Sequence, residues 1–110
     1  MRAPGKLVLS GAYAVLAGAP ALVTAVDRYV VADGTRASSF TTPEFSAARP
    51  GSAQPYFDAA LLRDQGQKLG LGSSAAILVA CLGVLSAAER PEARLEDLRQ
   101  GVFAEALAAH

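Results

Sequence analysis

Gly70, Gly72, Ser73 and Ser74 make the one stretch of this chain whose residue types and spacing suggest chemistry directly. They lie in Lys68-Leu69-Gly70-Leu71-Gly72-Ser73-Ser74-Ala75-Ala76, immediately before the apolar run Ile77-Leu78-Val79-Ala80-Cys81-Leu82. A tight loop that feeds a buried helix leaves free backbone N–H groups and a partial positive charge at the helix start. Glycines let a ligand reach that backbone unobstructed, and serines add hydroxyl contacts or a cap. Such a loop is an anion site, and phosphate is the anion it suits best. A turn and a helix cap use the same residues, so the loop alone leaves both readings open. The Walker pattern is excluded, because no Lys-Ser/Thr follows the last glycine. The dinucleotide fingerprint is excluded too, because the third glycine and the preceding strand are missing.

A second segment, Ala3-Pro4-Gly5-Lys6 followed by Leu7-Val8-Leu9-Ser10-Gly11-Ala12-Tyr13-Ala14-Val15-Leu16, pairs with this loop. The two together resemble the motifs of the GHMP kinases: Ala-Pro-Gly-Lys with an apolar strand, then Gly-Leu-Gly-Ser-Ser-Ala. The likeness is nearest to phosphomevalonate kinase and mevalonate kinase. The resemblance implies an α+β fold like ribosomal protein S5 domain 2, and phosphoryl transfer from ATP with Mg²⁺ to a small isoprenoid precursor. Gly70, Leu71, Gly72, Ser73, Ser74 and Ala75 would then wrap the nucleotide phosphates, with Ser74 also on the metal. Lys6 would stand near the transferring phosphate, where its charge offsets developing negative charge. Tyr13 would face the acceptor. Without the resemblance, Lys6 reads as an exposed strand-end lysine and Tyr13 as core packing.

The chain departs from the family pattern at Ala12, where an acidic residue is common, and at Gly66, where proline is usual. The family's Gly-Ser-Gly-x-Asp segment and its glycine-rich third motif have no counterpart up to His110. Asp27, Asp33 and Asp58 do not occupy the catalytic position, and a lone His110 has no identifiable base or metal role. The resemblance therefore implies a truncated N-terminal GHMP domain over residues 1–110, inactive by itself. The competing functions are a non-catalytic remnant that binds nucleotide or phosphate, and an interaction module on the same scaffold.

The elements that must hold these residues are legible from pattern. Residues 6–10 read as a short strand between Pro4-Gly5 and Gly11. Residues 21–32 are rich in Val, Thr and Tyr and read as a second strand. Asp33-Gly34 is expected to turn the chain into a weaker strand over residues 35–42. Residues 43–67, broken by Pro43, Pro50, Gly51, Pro55 and Gly66, read as a connecting loop with at most one short strand at Tyr56-Phe57. Residues 73–88 are apolar on nearly every side and predict a helix buried between layers. Pro91 separates it from a second helix, in which Leu95, Leu98, Val102, Ala106 and Ala109 recur on one face while Glu96, Asp97, Arg99 and Gln100 face out.

Composition excludes several classes. At 52% apolar residues the 110-residue chain is not a disordered one. Formal net charge is zero, with no basic cluster, so no field draws it to nucleic acid or to an anionic membrane. The single cysteine, Cys81, lies in the apolar helix run, which predicts a buried, inert thiol and no disulfide. The start of the chain lacks a signal-peptide pattern, and the apolar helix is too short to span a bilayer. These readings predict a cytoplasmic protein, and the resemblance implies ATP and a small-molecule acceptor as its partners. Self-association is expected from an unpaired sheet edge.

Overall fold

The computed structural model describes residues 1–11, 14–64, 67–68 and 70–109. Tyr13, Ala12, Gly66 and His110, all singled out above, lie outside them. The chain forms an α+β layer: a three-stranded antiparallel sheet in the order β1-β2-β3, with helices packed behind it. Strand β1 spans Arg2–Ser10, β2 Leu22–Ala37 and β3 Pro55–Asp58. A two-stranded antiparallel sheet of β4 (Arg63–Asp64) and β5 (Gln67–Lys68) follows, and then the helices α2 (Ser73–Glu89) and α3 (Leu95–Ala109). Helix α1 (Pro43–Ala48) stands between β2 and β3 in the chain.

Helix α2 is the centre of the core. Its Leu78, Ala80, Cys81 and Leu82 are fully buried, as are Val30 from β2, Phe45 from α1 and Leu62. It packs on all three strands and on both other helices, as a helix without a polar face must. Each fully buried Leu or Phe contributes roughly 1.5–3 kcal/mol by burial. The helix ends at Glu89 because Pro91 cannot continue it; the Arg90 N–H closes the last turn on the Ser86 carbonyl. Helix α3 buries Leu98 and Val102 and turns Glu96, Asp97, Arg99 and Gln100 outward, as its spacing predicts. Leu95 is a correction: in the first turn of α3 it is largely exposed.

Two further expectations are corrected. Asp33-Gly34 does not turn the chain, and residues 35–42 are not a separate strand. β2 runs through to Ala37, and residues 34–36 bulge out of the ladder between the pairs Asp33–Tyr56 and Ala37–Pro55. The Asp33 carboxylate accepts the Thr35 N–H (2.9 Å) and hydroxyl (2.6 Å) and the Arg36 Nε–H (3.2 Å), which stabilises the bulge locally. These bonds, the Thr35 hydroxyl first, hold Asp33 below its ordinary pKa. Gly34 is needed for close approach, since a Cβ there would lie 2.6 Å from Val84 Cγ1 of α2.

Residues 43–67 are likewise more than a loop. Thr42 caps α1 by accepting the Phe45 N–H, Pro43 opens the helix and Glu44 sits in its first turn. The buried side chain of Gln54 accepts the Thr42 N–H (2.7 Å) and so ties α1 to the segment before β3. At its other end α1 is held by Arg49, which pairs with Glu89 at the end of α2 and with Glu105 in α3.

Candidate functional site

The Gly70–Ala75 loop is set by its glycines. Gly70 and Gly72 take left-handed φ values of 71° and 69°, which L side chains rarely adopt. Gly72 is the N-cap of α2, and no side chain caps the helix there. The first bond within the helix runs from the Ala76 N–H to the Gly72 carbonyl (3.1 Å). The N–H groups of Gly72, Ser73, Ser74 and Ala75 therefore precede the helical ladder, and they carry the positive end of the helix dipole. The serines, expected as possible caps, do not cap this helix. Ser73 is buried and Ser74 half-buried.

Lys6 is brought to this loop across a long sequence separation. Its N–H donates to the Leu71 carbonyl (2.7 Å), which docks the edge of β1 on the loop. Its side chain then runs across Gly72: a Cβ on Gly72 would lie 2.9 Å from Lys6 Cγ, 3.2 Å from Cε and 3.4 Å from Nζ. One concavity of ≈ 410 Å³ is lined by Lys6, Gly70, Leu71, Gly72, Ser73, Ser74 and Ala75. These are the site residues expected from the sequence, apart from Tyr13. Among the described residues the ion pairs involve Arg36 and Arg49, and none involves Lys6. Among the described residues the hollow thus combines an ammonium, the backbone donors that precede the α2 ladder and two hydroxyls, and no carboxylate lines it. Its chemistry is that of a seat for a multiply charged oxyanion.

A second hollow of ≈ 300 Å³ adjoins the first through Ser73 and Ser74, and Phe40, Phe57, Glu44 and Arg63 line its other walls. The two phenyl rings meet edge to face, 5.7 Å between centroids. Sequence reading missed these four residues. Their signal was local only for Glu44, which follows the Thr42-Pro43 helix start; the others meet by tertiary folding. Asp27, Asp33 and Asp58 line neither hollow. Asp58 instead accepts the Ala60 N–H (2.9 Å) in a turn.

The donor set accommodates Mg²⁺ only as a companion of phosphate. Among the described residues no cluster of three His, Cys, Asp or Glu side chains could hold a metal alone. Mg²⁺ bound with a nucleotide takes most of its ligands from phosphate and water and needs one or two from protein. The Ser74 hydroxyl fits that limited demand. Among the described residues no helix is long and apolar enough to cross a membrane. No protein-family model, curated protein or solved structure matches this chain.

Proposed function

We propose that this chain binds the polyphosphate of ATP at Gly70–Ala75 and forms the nucleotide-binding part of a cytoplasmic GHMP-type small-molecule kinase. The acceptor on this reading is phosphomevalonate or mevalonate. The observation that carries it is the convergence of Lys6 and the uncapped start of α2 on a single hollow. A turn that served only to start a helix has no use for a lysine laid across its N-cap glycine. The α+β layer is the coarse arrangement that the ribosomal protein S5 domain 2 likeness requires.

In this proposal the N–H groups of residues 72–75 bind the β- and γ-phosphates, and the Lys6 ammonium lies on the outermost phosphoryl oxygens. The second hollow, with Phe40 and Phe57, receives the nucleoside end. Mg²⁺, bound through the phosphates and Ser74, would neutralise charge on the transferring group. No described carboxylate lines the Gly70–Ala75 hollow to align an acceptor, so the function assigned to these residues is nucleotide binding rather than turnover.

Isothermal titration with a non-hydrolysable ATP analogue and Mg²⁺ tests the proposal. Saturable one-to-one binding is expected. Gly72→Val places a β-branched side chain at a φ of 69° and against Lys6, and should abolish it. Lys6→Ala should weaken the ATP analogue roughly tenfold while leaving ADP nearly unchanged, because one charge-assisted contact to the terminal phosphate is lost. If the parent shows no saturable binding, or Gly72→Val titrates like the parent, the loop is a structural turn and the proposal fails.

A further inference from the structure

Gly5 was not among the residues expected to act, yet its surroundings are the tightest near the site. It is buried in β1 at a break in the ladder, where residues 26–28 of β2 stand between the pairs Pro4–Tyr29 and Lys6–Ala25. A Cβ on Gly5 would lie 2.8 Å from the Leu71 carbonyl oxygen, 2.8 Å from Leu62 Cδ2 and 3.2 Å from Leu71 Cβ. Contacts under 3.0 Å require something to move. The carbonyl that a methyl would strike is the one that accepts the Lys6 N–H. Leu71 is also the neighbour of Gly72, over which the Lys6 side chain lies. Two glycines therefore interlock: Gly5 lets the loop carbonyl reach the strand, and Gly72 lets the strand's lysine cross the helix start.

We propose that Gly5 is a positioning residue of the anion site, setting through the Leu71 carbonyl how closely the Lys6 ammonium sits over the N-terminus of α2. This inference rests on the nucleotide-binding reading above. A methyl at position 5 wedges the loop away from β1. It weakens the Lys6 N–H bond and separates the two sources of positive charge that an oxyanion must contact together. Not every crowded glycine has this consequence. Gly34, which is exposed, meets a still closer atom, Val84 Cγ1 at 2.6 Å, but where β2 faces the C-terminal half of α2.

The test compares Gly5→Ala with Gly34→Ala, using inorganic tripolyphosphate as the titrant and hydrogen exchange at the Lys6 amide as a second readout. Both variants should lose thermal stability. Gly5→Ala alone should bind tripolyphosphate about tenfold more weakly, the loss of one charge-assisted contact, and its Lys6 amide should exchange faster. Gly34→Ala should bind within about twofold of the parent, because its strain lies outside the site. Parent-like affinity and protection in folded Gly5→Ala would overturn the positioning role while leaving the anion site standing. Equal losses in both variants would overturn it as well. Failure of the parent to bind would overturn the underlying reading and this inference with it. Should Gly5→Ala not fold, the Gly5→Ala, Leu62→Val pair removes the Leu62 Cδ2 contact and leaves the carbonyl contact. That pair must fold and still bind weakly, with Leu62→Val alone as its control; tight binding by the pair refutes the role.

Discussion

Arg49→Met should destabilise the fold by an amount calculable from its two unequal arms. The guanidinium closes the C-terminal end of α1 onto α2 and α3 at once. One arm is a two-pronged pair with Glu105, whose side chain is 30% exposed against 23% for Arg49. The other reaches Glu89 at 2.5 Å, but that carboxylate is 54% exposed and well solvated. A bidentate, partly desolvated pair contributes about 1–1.5 kcal/mol and an exposed pair roughly 0.3–0.5 kcal/mol. Methionine keeps most of the aliphatic packing, so the loss should total roughly 1.3–2 kcal/mol, or about 6–9 °C in Tm for a domain of this size. Glu105 first, and Glu89 second, hold the guanidinium protonated well above its ordinary pKa. A raised folded pKa on a base contributes stability that is full below the unfolded value and lost only above it. Thermal melts between pH 6 and 9 should therefore show a constant difference between parent and variant. Glu105→Gln should reproduce most of the loss and Glu89→Gln little, and added salt should erase only the Glu89 share. Equal costs for the two glutamates, or a loss under about 0.5 kcal/mol for Arg49→Met, would refute this division. Glu89 is the last of the 17 residues of α2 and Ser73 the first, so the clamp lies some ~24 Å from the loop. Arg49→Met should consequently leave tripolyphosphate affinity unchanged.

Three further outcomes follow from the same structure. Ser74→Ala should keep the metal-free affinity for the ATP analogue but lower the gain from Mg²⁺ roughly fivefold, the worth of one polar contact; an unaltered gain removes Ser74 from the metal. Burial pushes the Cys81 thiol above its ordinary value of 9.0, which its contact with Gln54 only partly offsets. The unfolded chain then releases that proton first, so stability should be flat below about pH 9 and fall above it, more steeply than in Cys81→Ala, and thiol reagents should label the native protein only as it unfolds; rapid labelling at pH 8 would contradict the burial. The far end of the β1–β2 ribbon exposes Leu7, Leu9, Leu22 and Val23. Light scattering during gel filtration should therefore show concentration-dependent species above 11.3 kDa, reduced by Leu9→Lys; a monomer at every concentration would show that the ribbon is tolerated bare.

Legibility in the sequence followed the range of the interactions involved. The loop at residues 70–75 and the helix after it were readable because glycine backbone freedom and an unbroken apolar run act locally. Pro91 marked the helix end for the same reason. The strand over residues 21–32 was readable from its β-branched residues, but its continuation was not. Asp33-Gly34 carries a turn signal, and what overrides it is the approach of Val84 from α2, a contact that sequence pattern does not contain. Helix α1 was hidden by the density of proline and glycine around it, although Thr42-Pro43-Glu44 is a helix-start signature. Of the site, the loop was local and so visible. The lysine owed its visibility to a paired motif, since residue type alone made it a surface lysine. Phe40, Phe57 and Arg63 were invisible because only the closed fold brings them beside Ser73 and Ser74.

The uncapped start of α2 has a thermodynamic consequence for the whole molecule. The same helix that offers its first N–H groups at the surface carries Leu78, Cys81 and Leu82 through the centre of the core. The hollow there also requires Lys6 and Leu71, far apart in the chain, to be in contact. An unfolded or half-folded chain has no such juxtaposition, so an anion held at this place is a ligand of the native state alone. Each tenfold rise of free ligand above its dissociation constant then adds about 1.4 kcal/mol to global stability. The melting temperature becomes a gauge of occupancy, and amide protection deep in α2, far from any ligand atom, should rise along with it.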